Sequence, residues 1–270
     1  MRKREKAYKI RRYTMIYSPS IDAVFRNSGY DLDKILRTVK ELGFTAFEFW
    51  GWGNRDIDLM EKLVQELDLH VGSFCTKSIS LLDPALRDSF VIGLEETLVI
   101  AKRLNCKYLI AVTGNTLDGV SRAEQHQSII DGLKACVPLL EAAGVILVLE
   151  PLNTKVNHPG YFLETSAEAL AIIAEVGSPN VKLLYDVYHQ QITEGDLTPT
   201  IIANIGQIGY IHVADHPGRH ELGTGEIAYP FVMNKLRELG YTGYVGLEFI
   251  PTGTPEDGLR ACLAQLDKRL

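Results

Sequence analysis

The 270-residue chain is 46% apolar and 23% charged, with a formal net charge of −6. That composition is of the ordinary soluble globular kind and excludes intrinsic disorder, which needs low hydrophobicity and high net charge. Charged residues interrupt every apolar run well before the roughly 18 residues of a membrane span.

The charge is uneven. Residues 1–12 carry seven basic side chains and one Glu, which leaves −12 on the remainder. A solvated, poorly ordered basic tail is expected there, and contact with RNA or anionic lipid is the alternative. The tail lacks the apolar core of a secretory signal. The acidic body opposes a nucleic-acid partner, which needs a basic face. Cys75, Cys106, Cys136 and Cys262 form no C-x-x-C. They read as buried free thiols in a reducing cytoplasm.

In chain order, the first strand is expected at Tyr13–Tyr17. Asp31 then caps a helix with Leu32, Ile35, Leu36, Val39 and Leu42 on one face and Gly43 as its stop. Strands at Ala46–Trp50 and His70–Cys75 follow. Asp83-Pro84 opens a helix with Leu86, Phe90, Leu94, Leu98 and Ala101 along one stripe. After a strand at Tyr108–Thr113, Ser121 with Glu124 forms a capping box, and Pro138 inside that helix is expected to kink it. Strand Ile146–Pro151 precedes a second capping box, Thr165 with Glu168. Strands at Lys182–Val187, Gly209–Ala214 and Tyr244–Ile250 come next, and a last helix covers about Glu256–Leu270. Gly144, Gly177 and Gly240 read as helix stops.

Most of these runs are apolar throughout, as parallel strands buried on both faces require. Alternating strands and helices build βαβ units. Eight units in 270 residues leave about 34 residues each. No linker divides the chain, no G-x-G-x-x-G follows the first strand, and no P-loop is present. The expected architecture is a single (β/α)8 TIM barrel over residues 13–270, with its chemistry at the C-terminal strand ends.

Four consecutive strands end in metal-type ligands: Glu150, Asp186, His212 and Glu248, spaced 36, 26 and 36 residues apart. Each interval is about one βα unit, so all four point to one side of the barrel mouth. Three carboxylates converging on a dry site repel one another, and a divalent cation removes the conflict. Mn²⁺ fits three carboxylates and an imidazole best; Mg²⁺ and Co²⁺ also fit. Close by lie His189, Arg219 and Glu226. His189 reads either as a grip on substrate oxygens or as a tautomer-fixed structural residue. Arg219 could hold substrate or pair with Asp215 or Glu221 in its own loop. His216 and His220 read as loop surface, and Gly223 and Gly225 as turn residues.

The segments Glu150-Pro-Leu-Asn153, His158-Pro-Gly-Tyr-Phe-Leu163, Tyr185-Asp-Val-Tyr-His189, His212-Val-Ala-Asp215, Pro217-Gly-Arg219 and Gly223-Thr-Gly-Glu-Ile227 resemble the hydroxypyruvate isomerase branch of the xylose-isomerase-like barrels. That branch includes 2-oxo-tetronate isomerases, and ketose 3-epimerases are close relatives. The resemblance is strongest over residues 145–252. It implies that Glu150, Asp186, His212 and Glu248 hold one divalent cation, that Glu150 and Glu248 are the acid/base pair, and that His189 and Arg219 contact substrate. The 3-epimerases carry a Glu six residues after the strand-5 ligand; here that position is Val156.

The loops Tyr17-Ser18-Pro19, Trp50-Gly51-Trp52 and Thr76-Lys77 fit no substrate rule. Trp50 is expected either to stack on substrate or to close the barrel end. The implied activity is aldose–ketose isomerisation of a small hydroxy-oxo acid or short sugar, with proton transfer through an enediolate. A tagatose- or psicose-type ketose 3-epimerase is the alternative, and a barrel that senses a sugar or metal without turnover is the non-enzyme reading. An apurinic endonuclease would want His at earlier strand ends, where this chain has Trp50 and Thr76. Fold analogy alone leaves a homo-oligomer open.

Overall fold

A computed structural model describes residues 15–268. The expected basic tail lies outside the described residues. Eight parallel strands form one sheet in the order β1-β8-β7-β6-β5-β4-β3-β2. They are β1 (Ile16–Pro19), β2 (Ala46–Phe49), β3 (His70–Cys75), β4 (Tyr108–Ala111), β5 (Ile146–Leu149), β6 (Val181–Asp186), β7 (Ile208–Val213) and β8 (Tyr244–Leu247). Seven pairings are ladders, and the eighth contact, β1 to β2, is a bridge between Ser20 and Glu48 that closes the ring. The barrel expected from the sequence is therefore the observed fold.

The helices are α1 (Ile21–Val24), α2 (Leu32–Glu41), α3 (Ile57–Glu66), α4 (Arg87–Arg103), α5 (Arg122–Ala143), α6 (Ser166–Val176), α7 (Val187–Thr193), α8 (Leu197–Asn204), α9 (Tyr229–Glu238) and α10 (Pro255–Leu266). Asp31 caps α2 by accepting from Lys34 N, and Asp83 accepts from Ala85 N ahead of a short 3₁₀ turn into α4. Ser121 and Glu124 form the expected capping box. The second box is only half made. Thr165 accepts from Glu168 N, but the Glu168 carboxylate turns to Arg122 and His126 instead. α5 runs through Pro138 to Ala143.

Two strand ends matter for the site. The apolar runs carry β5 and β8 on to Pro151 and Ile250, but the ladders stop at Leu149 and Leu247. Glu150 and Glu248 each follow immediately, so each carboxylate stands on the first residue past its ladder. Asp186 is the last residue of β6, and its register partner is His212 on β7. The residues that lead into these ends, 147–149, 183–185, 208–211 and 245–247, are buried, which fixes the ends on a rigid frame.

Candidate active site

Glu150, Asp186, His212 and Glu248 are all buried, and each offers a ligand atom within 4.8 Å of the others. His212 Nδ1 lies 3.5 Å from Glu150 Oε1 and 3.2 Å from Glu248 Oε2. Glu150 Oε1 and His212 Nδ1 complete no hydrogen bond among the described residues. Orphaned buried polar atoms are costly, and here they converge on one point. Three carboxylates and an imidazole fit a divalent cation at that point.

Local structure aims each group. Asp186 Oδ1 accepts from Tyr188 N and His189 N at 2.7 and 3.1 Å, capping α7 and leaving Oδ2 for the centre. Tyr161 donates to Glu150 O at 2.9 Å and accepts from Thr113 N at 2.8 Å, tying the end of β5 to β4. Arg219 Nη2 donates to Glu248 Oε2 at 2.6 Å, and Trp50 Nε1 donates to Glu248 Oε1 at 2.5 Å.

Electrostatics drives the two glutamates apart. Burial pushes the Glu150 carboxyl up to about 7, against the pull of His212. Burial would raise Glu248 as well, but Arg219, His212 and Trp50 outweigh it and hold that carboxyl below the usual range. Burial also raises Asp186, and Arg219 and His212 offset this only in part. Burial disfavours imidazolium at His212, yet Glu48, Glu150 and Glu248 hold it well above its ordinary value. These directions belong to the cation-free protein.

Above the four residues opens a cavity of about 390 Å³. Trp50, Glu150, His158, His189, Arg219 and Glu248 are among its lining residues, and Arg26 stands exposed at its mouth. His189 Nδ1 accepts from Asn153 N at 3.1 Å, so its proton sits on Nε2, 3.6 Å from Asp186 Oδ2. Burial and Arg219 hold this imidazole well below its ordinary value, hence neutral. The Asn153 bond fixes its tautomer, and His189 is among the residues that line the cavity. Arg219 pairs with Glu248, not with Asp215 or Glu221. Asp215 instead accepts from Gly223 N and Ile227 N, and Glu221 from Thr252 N. Trp50 reaches Glu248, whereas Trp52 donates to Thr97 Oγ1. Glu226 is exposed, bonded to Gln191 Nε2 at 3.1 Å, and is not brought to the cavity.

Sequence reasoning missed Glu48, Arg26 and Asn153. Glu48 had a signal, a lone Glu within the apolar run Ala46–Trp50, and the other two carry none.

The profile of the xylose isomerase-like TIM barrel family matches residues 36–269. The chain belongs to that family. It is similar to hydroxypyruvate isomerase of Escherichia coli (strain K12), 34% identical over 240 residues, covering 86% of this chain and 92% of that one. It is also similar to 2-oxo-tetronate isomerase of Pectobacterium atrosepticum, 34% identical over 176 residues, covering 65% and 67%. Among solved structures, the Brucella melitensis protein described as AP endonuclease, family 2 superposes with a TM-score of 0.87 at 29% identity, covering 91% and 97%. The family relatives of this barrel named by activity at about a third identity are isomerases.

Proposed function

We propose that this chain isomerises a small hydroxy-oxo acid of the hydroxypyruvate type, holding one divalent cation on Glu150, Asp186, His212 and Glu248. The observation that carries the reading is the pair Glu150 and Glu248. They line one cavity, and Asp186 and His212 bring ligand atoms within 4.8 Å of theirs at its floor. Moving a proton between adjacent carbons needs one group to take it and another to return it, with separated pKa values. Mn²⁺ suits the mixed oxygen and nitrogen donors best, and Mg²⁺ or Co²⁺ are the alternatives. When bound, the cation supplies Lewis-acid polarisation of the substrate carbonyl.

The side chains do the rest. Of Glu150 and Glu248, which flank the cavity, one takes the proton beside the carbonyl to give an enediolate and the other returns a proton to the adjacent carbon. His189 donates from Nε2 to a substrate oxygen. Trp50 fixes Glu248 and covers the site. Arg219 is committed to Glu248, so Arg26 is the guanidinium at the mouth suited to a substrate carboxylate.

The four unpaired thiols fit a reducing compartment such as the cytoplasm. The acidic body, with Trp50 and Thr76 rather than His at the ends of β2 and β3, opposes a nucleic-acid substrate.

The test is NMR in D₂O with added Mn²⁺. Hydroxypyruvate should acquire deuterium at the reacting carbon and yield 2-hydroxy-3-oxopropanoate. Glu150→Gln and Glu248→Gln should each abolish both while the fold persists. Exchange only at carbon 3 of fructose or tagatose would make the chain a 3-epimerase. Substrate binding without exchange would make it a sensor.

A further inference from the structure

Glu48 sits in the middle of β2 at 2% exposure, between Phe47 and Phe49. An ionised carboxylate in a barrel interior costs several kcal/mol unless it is paired and hydrogen-bonded. Here it is surrounded by donors. Tyr210 donates to Oε2 at 2.7 Å and Ser73 donates to the same oxygen at 3.3 Å. Oε1 lies 3.1 Å from His212 Nε2, in contact but off the line of a completed hydrogen bond. The opposite nitrogen of that ring, Nδ1, faces Glu150 and Glu248.

Two glycines clear the space. A Cβ on Gly246 would lie 2.5 Å from Glu48 Oε2 and 2.5 Å from His212 Cδ2. A Cβ on Gly72 would lie 2.6 Å from the Tyr210 hydroxyl. β8 and β3 thus give up side chains where this carboxylate and its donor need room. Glu48 also carries the bridge to Ser20 that closes the ring. None of this is needed to fill a core, which apolar residues fill more cheaply.

We propose that Glu48 is a positioning residue for the cation, acting through His212. It accepts the Nε2 proton, fixes the tautomer, and leaves the Nδ1 lone pair for the metal. A carboxylate behind a ligating imidazole also raises its basicity as a ligand, and losing such a partner costs 10–100-fold in metal affinity. The inference rests on the cation reading above.

The experiment is calorimetric titration of Mn²⁺ into metal-free protein. Glu48→Gln keeps the volume and removes the charge. It should raise Kd by 10–100-fold while the metal-free melting curve stays cooperative. In ¹⁵N-labelled, Mg²⁺-loaded protein the His212 Nε2 proton should exchange slowly in the wild type and rapidly in the variant. A purely structural carboxylate would change neither. Tyr210→Phe, which frees Glu48 without altering any charge, should weaken binding several-fold and decides the matter if Glu48→Gln does not fold. Wild-type affinity in a folded Glu48→Gln, or in Tyr210→Phe where that is the deciding variant, overturns the proposal. Absence of Mn²⁺ binding in the wild type overturns the cation reading, and this inference with it.

Discussion

Arg26 and Arg219 both line the cavity but differ in their surroundings. Arg219 is bound to Glu248, whereas Arg26 stands at the mouth. A hydrogen bond between a guanidinium and a carboxylate contributes about 1.5–3 kcal/mol. Arg26→Gln should therefore raise KM for hydroxypyruvate by about 10–100-fold, with kcat nearly kept. A neutral ketose such as dihydroxyacetone should show no such change. An equal loss on both substrates would place Arg26 elsewhere in the mechanism. The four side chains proposed to hold the cation were legible because each stands at the end of an apolar run, about one βα unit from the next, and chance rarely repeats that four times. Glu48 was not, because a Glu between two Phe residues reads as the solvent face of a half-buried strand. Only closure of the ring turns that face inward. Arg26 lies in a loop, where no periodicity marks it. Glu226 shows the converse: it lies beside the motif in sequence, yet its side chain turns to Gln191.

Among the elements, the strands were legible from apolar runs, and their ends were not. Composition continues through Pro151 and Ile250, but the ladders stop where Glu150 and Glu248 turn toward the cavity. Glu150 N and Glu248 N still donate across to Ala111 O and Val213 O at 3.1 Å, and where such bonding stops is not encoded by residue type. The two expected capping boxes make the same point. At Ser121 the reciprocal bonds form, with Glu124 Oε2 accepting from Ser121 N at 3.0 Å. At Thr165 the partner Glu168 is drawn away by Arg122 and His126, neighbours from another helix. Ser121→Ala should cost about 1 kcal/mol, or roughly 2–4 °C in Tm for a barrel of this size. Urea unfolding checks the first figure. No loss would mean that packing alone holds the start of α5.

For the whole molecule, pH and metal oppose each other. Glu150, raised by burial to about 7, binds its proton more tightly folded than unfolded. Asp186 and His212 are raised too, so they act in the same direction. For Glu150 the contribution to the stability of the metal-free fold is full below the ordinary carboxylate range and is lost as pH rises through about 7, whereas for His212 it is full below the ordinary imidazole value and is lost only above it. Glu248 has the opposite sign, but its effect falls below the ordinary carboxylate range. A cation must displace the same protons, so its affinity climbs with pH. Melting curves at pH 5.5, 6.5 and 7.5 should show the metal-free Tm falling while the gain from Mn²⁺ grows. A constant gain across that range would contradict the assignment.

The ring's one unladdered contact also bears on time. β1 has no ladder with β2, its neighbour in the chain, and its register is with β8, where Ile16 faces Tyr244. The earliest described strand to leave the ribosome must therefore wait for the last before its backbone is paired. Such long-range closure is slow and leaves an open strand edge in the interval. Because Glu48 lies on that seam, the imidazole it holds can be set only when nearly the whole chain has been made.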